Sequence, residues 1–185
     1  MFRKLRIKFI ATATLAITLI LTFFLVLMNS IVYTQTEDNI HTVLSILTKN
    51  EGELPITDEV KESLTEKNIQ EGIVYNFQYF SVREKENDYA ISLTNVQSLT
   101  EDEVKSFLPN VLKKQETYGT IPHKGRYFTY QVSQSTTGKL LVFFETTYYI
   151  RERSTLLQVS IWLALASLLL LILLFTLISG IVIRP

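Results

Sequence analysis

Few of the side chains in these 185 residues are suited to chemistry. There are two histidines, His41 and His123, and neither is followed three or four residues on by a second metal-binding side chain. The cysteine count is zero, which excludes thiolate metal sites and a disulfide framework. No G-x-S-x-G, H-E-x-x-H or Walker-type phosphate loop occurs, and without a phosphate-binding loop the chain is not expected to handle ATP alone. The acidic run Glu101-Asp102-Glu103 has the chemistry to hold a cation or a cationic peptide. Its ordinary reading is a helix first turn, where carboxylates complement the helix dipole. A richer source of candidates is the set of aromatic residues at alternate positions, among which Tyr79, Tyr127, Tyr130 and Phe144 are the ligand-pocket candidates. Sheet core is the commoner fate of such residues. No catalytic, metal-binding or cofactor-binding residue is therefore expected.

These aromatic residues need elements to position them. Thr36, Ile40, Val43, Leu44 and Leu47 follow helical spacing and predict an amphipathic helix to about Asn50, broken by Glu51-Gly52-Glu53-Leu54-Pro55. A short helix is expected over Asp58 to Lys67 with Thr57 as N-cap. From Ile73 to Tyr79 the period becomes two, and at Phe80 and Val82 its phase switches, as in a bulged strand. Glu86-Asn87-Asp88 reads as a turn into a second strand at Tyr89, Ile91 and Leu93. Thr100 to Glu103 forms a capping box ahead of the stripe Val104, Phe107, Leu108, Val111 and Leu112, which Pro109 is expected to kink or split. Strands are then expected over Gly119 to Ser133 and Lys139 to Thr146, with a helix starting near Tyr148. The sum is α+β, an antiparallel sheet between two helices.

Both ends of the chain are of another kind. Phe9 to Val32 and Leu156 to Ile183 carry no charged residue, and each is long enough to cross a hydrocarbon core about 30 Å thick. Mean hydropathy is accordingly positive, +0.20. A cleaved leader is the competing reading of the first run. That run exceeds a leader's apolar stretch, and its one A-x-A, at Ala11 to Ala13, precedes the stretch, so an uncleaved anchor is expected. Arg3, Lys4, Arg6 and Lys8 flank the first run and Arg184 follows the second, while every acid lies between them. Such placement predicts both termini cytoplasmic and residues 33–155 outside the cell membrane. The formal net charge is zero, which gives no attraction for nucleic acid. Arg151 and Arg153, beside the second run, are candidates for snorkelling anchors or for contact with a partner helix.

Several stretches in order carry a family likeness. They are the basic start with its apolar run, Tyr79-Phe80-Ser81-Val82-Arg83, Leu99 to Glu103, Tyr118 to Ile121 leading to Arg126-Tyr127-Phe128, and Gly138 to Glu145 before the second run. The chain resembles the N-terminal sensor region of bacterial two-component sensor histidine kinases with a small PAS-like (PDC/Cache-like) outer domain. Ile183-Arg184-Pro185 looks like the opening of a HAMP linker. The resemblance implies a basic tail at 1–8, transmembrane helices at 9–32 and 156–183, a PAS-like sensor at 33–155 and the linker start at 184–185.

It further implies a homodimer, with His41, Val43, Leu44 and Leu47 near the outer interface, and signal transmission through Arg151, Arg153, Gly180, Arg184 and Pro185. The family's HAMP body, phosphoacceptor helix and ATP-binding domain have no counterpart, so the chain is expected to be a fragment or a truncated product. ATP, magnesium and the cognate response regulator belong to that missing part. The partners expected here are the lipid bilayer, a second copy and an unidentified external stimulus. A chemotaxis-type receptor and a membrane-anchored binding or assembly protein share the same plan.

Overall fold

A computed structural model describes residues 2–55, 57–67, 69, 76–85, 88–96, 99–114, 116–135 and 138–182. The chain divides into two compact units, Met1–Thr34 with Arg151–Pro185, and Gln35–Ile150.

Helix α1 runs unbroken over Phe2–Lys49, which contains no glycine or proline. Within its apolar part the hydroxyls of Thr12, Thr18 and Thr22 donate to carbonyls one turn back, at 2.8–2.9 Å. The last helix, called α4 here, spans Thr147–Val182 and treats Ser160, Ser167 and Thr176 the same way. Each of these six hydroxyls is thus satisfied inside its own helix. Both helices are long and apolar enough to cross a membrane. Their large side chains, including Phe23, Trp162 and Leu169, face outward.

The second unit is built on a five-stranded antiparallel sheet in the order β2-β1-β5-β4-β3. Its strands are β1 (Tyr79–Glu84), β2 (Tyr89–Ser92), β3 (Tyr118–His123), β4 (Arg126–Ser135) and β5 (Gly138–Glu145). Strand alternation sends Phe80, Val82, Phe128, Tyr130, Leu141 and Phe143 to one face, where helix α3 (Glu101–Lys114) covers them with Val104, Phe107, Leu108 and Val111. Phe80 and Phe143 stack there with ring centroids 4.5 Å apart. To the other face go Tyr79, Leu140, Val142 and Phe144, which meet Ile40, Val43, Leu44 and Leu47 of α1 and Leu64 of helix α2 (Asp58–Glu66). The sheet is the middle of three layers.

Several expectations change here. The stretch expected as one strand from Gly119 to Ser133 is two, because Lys124 (φ 48°) and Gly125 (φ 78°) make a tight turn with both residues left-handed. The layer opposite α1 is α3, not the helix leading into the second apolar run. Pro109 does not split α3, which stays one helix with its apolar stripe held on the sheet on either side of the proline. Val43, Leu44 and Leu47 are buried in this core, so they are not free to form an interface between copies. The bulged strand expected from Ile73 falls partly outside the described residues, and the described strand begins at Tyr79. Both expected N-termini hold. Thr57 accepts from the Val60 N–H, and Thr100 and Glu103 bond each other's backbone N–H at 3.3 and 3.0 Å.

Candidate functional site

Among the five strands β5 is central, paired with β1 on one side and β4 on the other. It ends at Glu145, and after the single residue Thr146 the chain enters α4. This junction is held from several directions. Thr146 is fully buried, and its N–H donates to the Tyr127 carbonyl at 2.8 Å. Its hydroxyl pairs with that of Thr129 at 2.9 Å, and Thr129 with Thr120 at 3.0 Å, which makes a row of three hydroxyls reaching β3. Thr147 Oγ1 accepts from the Tyr127 N–H and donates to Glu145 Oε1, both at 2.9 Å. Arg126 Nη1 stands 3.8 Å from the other carboxylate oxygen. A neutral hydrogen bond is worth about 1 kcal/mol net, so the set ties Thr146 and Thr147, where α4 begins, firmly to the end of the sheet.

Beside this junction lies a cleft of about 420 Å³. Phe77, Phe144, Tyr148 and Tyr149 form its aromatic walls, and Glu145, Asn76 and Gln78 supply its polar lining. The rings brace one another edge to face or tilted, at 5.0 Å for Phe77–Phe144, 5.9 Å for Phe144–Tyr149 and 5.8 Å for Tyr148–Tyr149. A ligand there would touch the end of the sheet and the first turn of α4 together.

Where α1 ends, a second anchor forms. Glu51 and Gly52 are left-handed (φ 57° and 92°), and the Gly52 N–H caps the Leu47 carbonyl at 2.8 Å. A Cβ on Gly52 would stand 2.6 Å from Ser81 Cβ, so only glycine lets the turn lie on β1. The Glu51 carboxylate accepts from Arg83 of β1 at 2.8 Å and from Ser135 of β4 at 2.6 Å. Next to it is a smaller cavity of about 270 Å³, lined in part by Glu53, Tyr79, Ser92 and Asn95. Burial, with the Glu53 charge adding to it, pushes the Tyr79 phenol above its ordinary value, against the hydrogen bond accepted from the Leu54 N–H.

The four pocket candidates part company. Phe144 lines the larger cleft and Tyr79 the smaller, although the two are cross-strand partners. Tyr130 is buried on the opposite face, with its hydroxyl over Gly119, and burial with the nearby Glu116 charge raises its phenol. Tyr127 serves the junction through its backbone. Of the transmission candidates, Arg153 places its guanidinium 4.5 Å from the Tyr33 ring centre, a contact between α4 and α1 within the first unit. Arg151 lies two residues earlier in the same helix and Gly180 near its end, while Arg184 and Pro185 lie outside the described residues. The sequence reading left out Tyr148 and Tyr149 as walls and the threonine row as a lock. Among the described residues no group of histidine and acidic side chains is arranged to hold a metal ion. No protein-family model, curated protein or solved structure matches the chain.

Proposed function

We propose that the chain is the signal-input module of a membrane-bound receptor, of the kind that feeds a two-component histidine kinase. The observation that carries this reading is the passage of the central strand β5 through Thr146 alone into the helix that contains the second apolar run. On this reading α1 and α4 each cross the bilayer, with the N-terminal basic cluster inside and the sheet unit outside. The external stimulus acts at the cleft beside the junction. A rearrangement there changes how α4 leaves the sheet, and a coupling of about 1–3 kcal/mol is enough to bias an output beyond the membrane. Homodimerisation and a cytoplasmic kinase partner belong to the proposal through the family resemblance.

Because the native chain has no cysteine, every introduced one is a unique label. Single variants Lys8→Cys, Lys67→Cys and Lys113→Cys put that label on exposed positions. In intact cells a membrane-impermeant maleimide is expected to label positions 67 and 113 and to reach position 8 only after lysis. Labelling of position 8 from outside, or recovery of the chain in the soluble fraction, overturns the proposal. For the coupling, the chain is fused to a HAMP–kinase output. A Gly-Gly insertion after Thr146 is expected to abolish any response of autophosphorylation to changes in the cleft.

A further inference from the structure

We infer that the cleft between β5 and the first turn of α4 is a binding site for a small organic cation with an apolar body, such as an aryl-substituted ammonium ion. The inference rests on the reading of this cleft as the input site and adds the chemical class of what enters it.

The lining determines that class. Among the described residues that line the cleft, four are aromatic and the polar ones are two neutral amides and one carboxylate, Glu145, with no lysine, arginine or histidine. An anion would meet ring faces and the Glu145 carboxylate, and the nearby basic group, Arg126, already stands against that carboxylate. A cation is attracted by both the ring faces and the carboxylate. Glu145 is also held ready. One oxygen is fixed by the Thr147 hydroxyl at 2.9 Å, while the Arg126 guanidinium stands off the other at 3.8 Å, beyond a close charge-assisted hydrogen bond. A ligand cation that approaches closer displaces a weak partner. The apolar body follows from the walls, where Phe77, Phe144 and Tyr149 form a braced surface and Tyr148, 63% exposed, is the outer wall a ligand would cover. The volume of about 420 Å³ admits a molecule of one ring and a few substituents.

The test is isothermal titration of the full chain in a maltoside detergent with three probes that share one ring: benzyltrimethylammonium, benzyl alcohol and benzenesulfonate. The cation is expected to bind and the sulfonate to show no binding. Glu145→Gln is expected to weaken the cation by about tenfold or more, as loss of a charged partner does. Tyr148→Ala, at an exposed position where the fold does not depend on the ring, is expected to weaken it by about two- to fivefold. Arg126→Gln removes the competing guanidinium and is expected to tighten it. Equal binding of cation and alcohol, no binding of the cation, or cation binding that is unchanged in both Glu145→Gln and Tyr148→Ala overturns the inference. Cation binding without the expected cysteine labelling would remove the receptor reading and leave the site, whereas the reverse pattern would remove the site alone.

Discussion

The two units use the same apolar residues in opposite ways. In the first, Phe23 is 63% exposed, Trp162 72% and Leu169 68%; in the second, Phe80, Phe128 and Phe143 are exposed by no more than 1%. Threonine differs in the same sense. Along α1 its hydroxyls turn back on their own helix, whereas Thr120, Thr129 and Thr146 bond across strands to one another. A water-soluble surface does not carry so much contiguous apolar area. Helices that turn hydroxyls such as those of Thr12, Thr18, Ser160 and Ser167 back on their own backbone and present hydrocarbon outward are suited to lipid, and a sheet that hides its aromatic side chains between helices is suited to water. The difference therefore lies in where each unit puts its apolar side chains, outward in the first and inward in the second, more than in residue type.

The strongest way to break this comparison is to delete one ring from each unit. Phe143→Ala removes a fully buried side chain that stacks on Phe80, and is expected to cost about 3–5 kcal/mol. Phe23→Ala removes an outward-facing ring and is expected to move the same unfolding transition by less than about 0.5 kcal/mol. Denaturant unfolding of the full chain in detergent, followed by near-ultraviolet dichroism, reads both. Similar losses from the two variants would mean that the first unit has a packed core of its own.

Acid sharpens the comparison at the next level, since neither apolar run has a group to titrate. In the sheet unit the Lys124 ammonium, and after it the Thr100 N–H, hold the Glu103 carboxyl at about 2, below its ordinary 4.5. A depressed carboxyl contributes stability that is complete above its unfolded value and is lost as pH falls through the folded one. That contribution should fade between pH 4.5 and about 2. Glu103→Gln is expected to flatten this limb of the stability–pH curve, read by aromatic dichroism, while the helical signal of the apolar runs persists in detergent. An unchanged acid limb in the variant would show that Glu103 is not the group responsible.

What the sequence disclosed and what it hid have physical causes. Caps are local, so Thr57 and the Thr100–Glu103 pair were legible from a few residues. The extent of α1 was legible because nothing before Gly52 interrupts it. The β3–β4 turn was not, because it puts Lys124 in a left-handed conformation that lysine does not advertise, between stretches that keep alternating. The stripe Val43, Leu44 and Leu47 marked a buried face without saying what buries it, and a sheet took the place given to a second copy. For the aromatic candidates, alternation assigns faces only once register is known. Tyr130 faces Phe143, and Tyr79 faces Phe144 one residue along, which is enough to separate them by the thickness of the sheet. Tyr148 and Tyr149 read only as the start of a helix, and their role as walls depends on Phe77 and Phe144 arriving from elsewhere in the chain.

The smallest expected effect concerns an aromatic–cation contact inside the first unit. Arg153 sits over Tyr33 at 4.5 Å, so an arginine whose position suggested a lipid headgroup or a partner helix has a ring partner on the other helix of its own unit. A cation–π pair at such a site is worth about 0.5–1 kcal/mol. Single substitutions would mix this with any other contact that either residue makes, so the informative measurement is a double-mutant cycle of Arg153→Gln and Tyr33→Leu on the thermal stability of the full chain in detergent. A coupling energy of about 0.5–1 kcal/mol is expected, with part of it retained in Arg153→Lys because an ammonium still sees the ring face. Additive substitutions would mean that the two helices are not joined at this point and that Arg153 acts as a solvated anchor. A positive coupling would make the pair a place where the first unit, whose two apolar runs carry no charge, fixes one helix against the other by a directional contact.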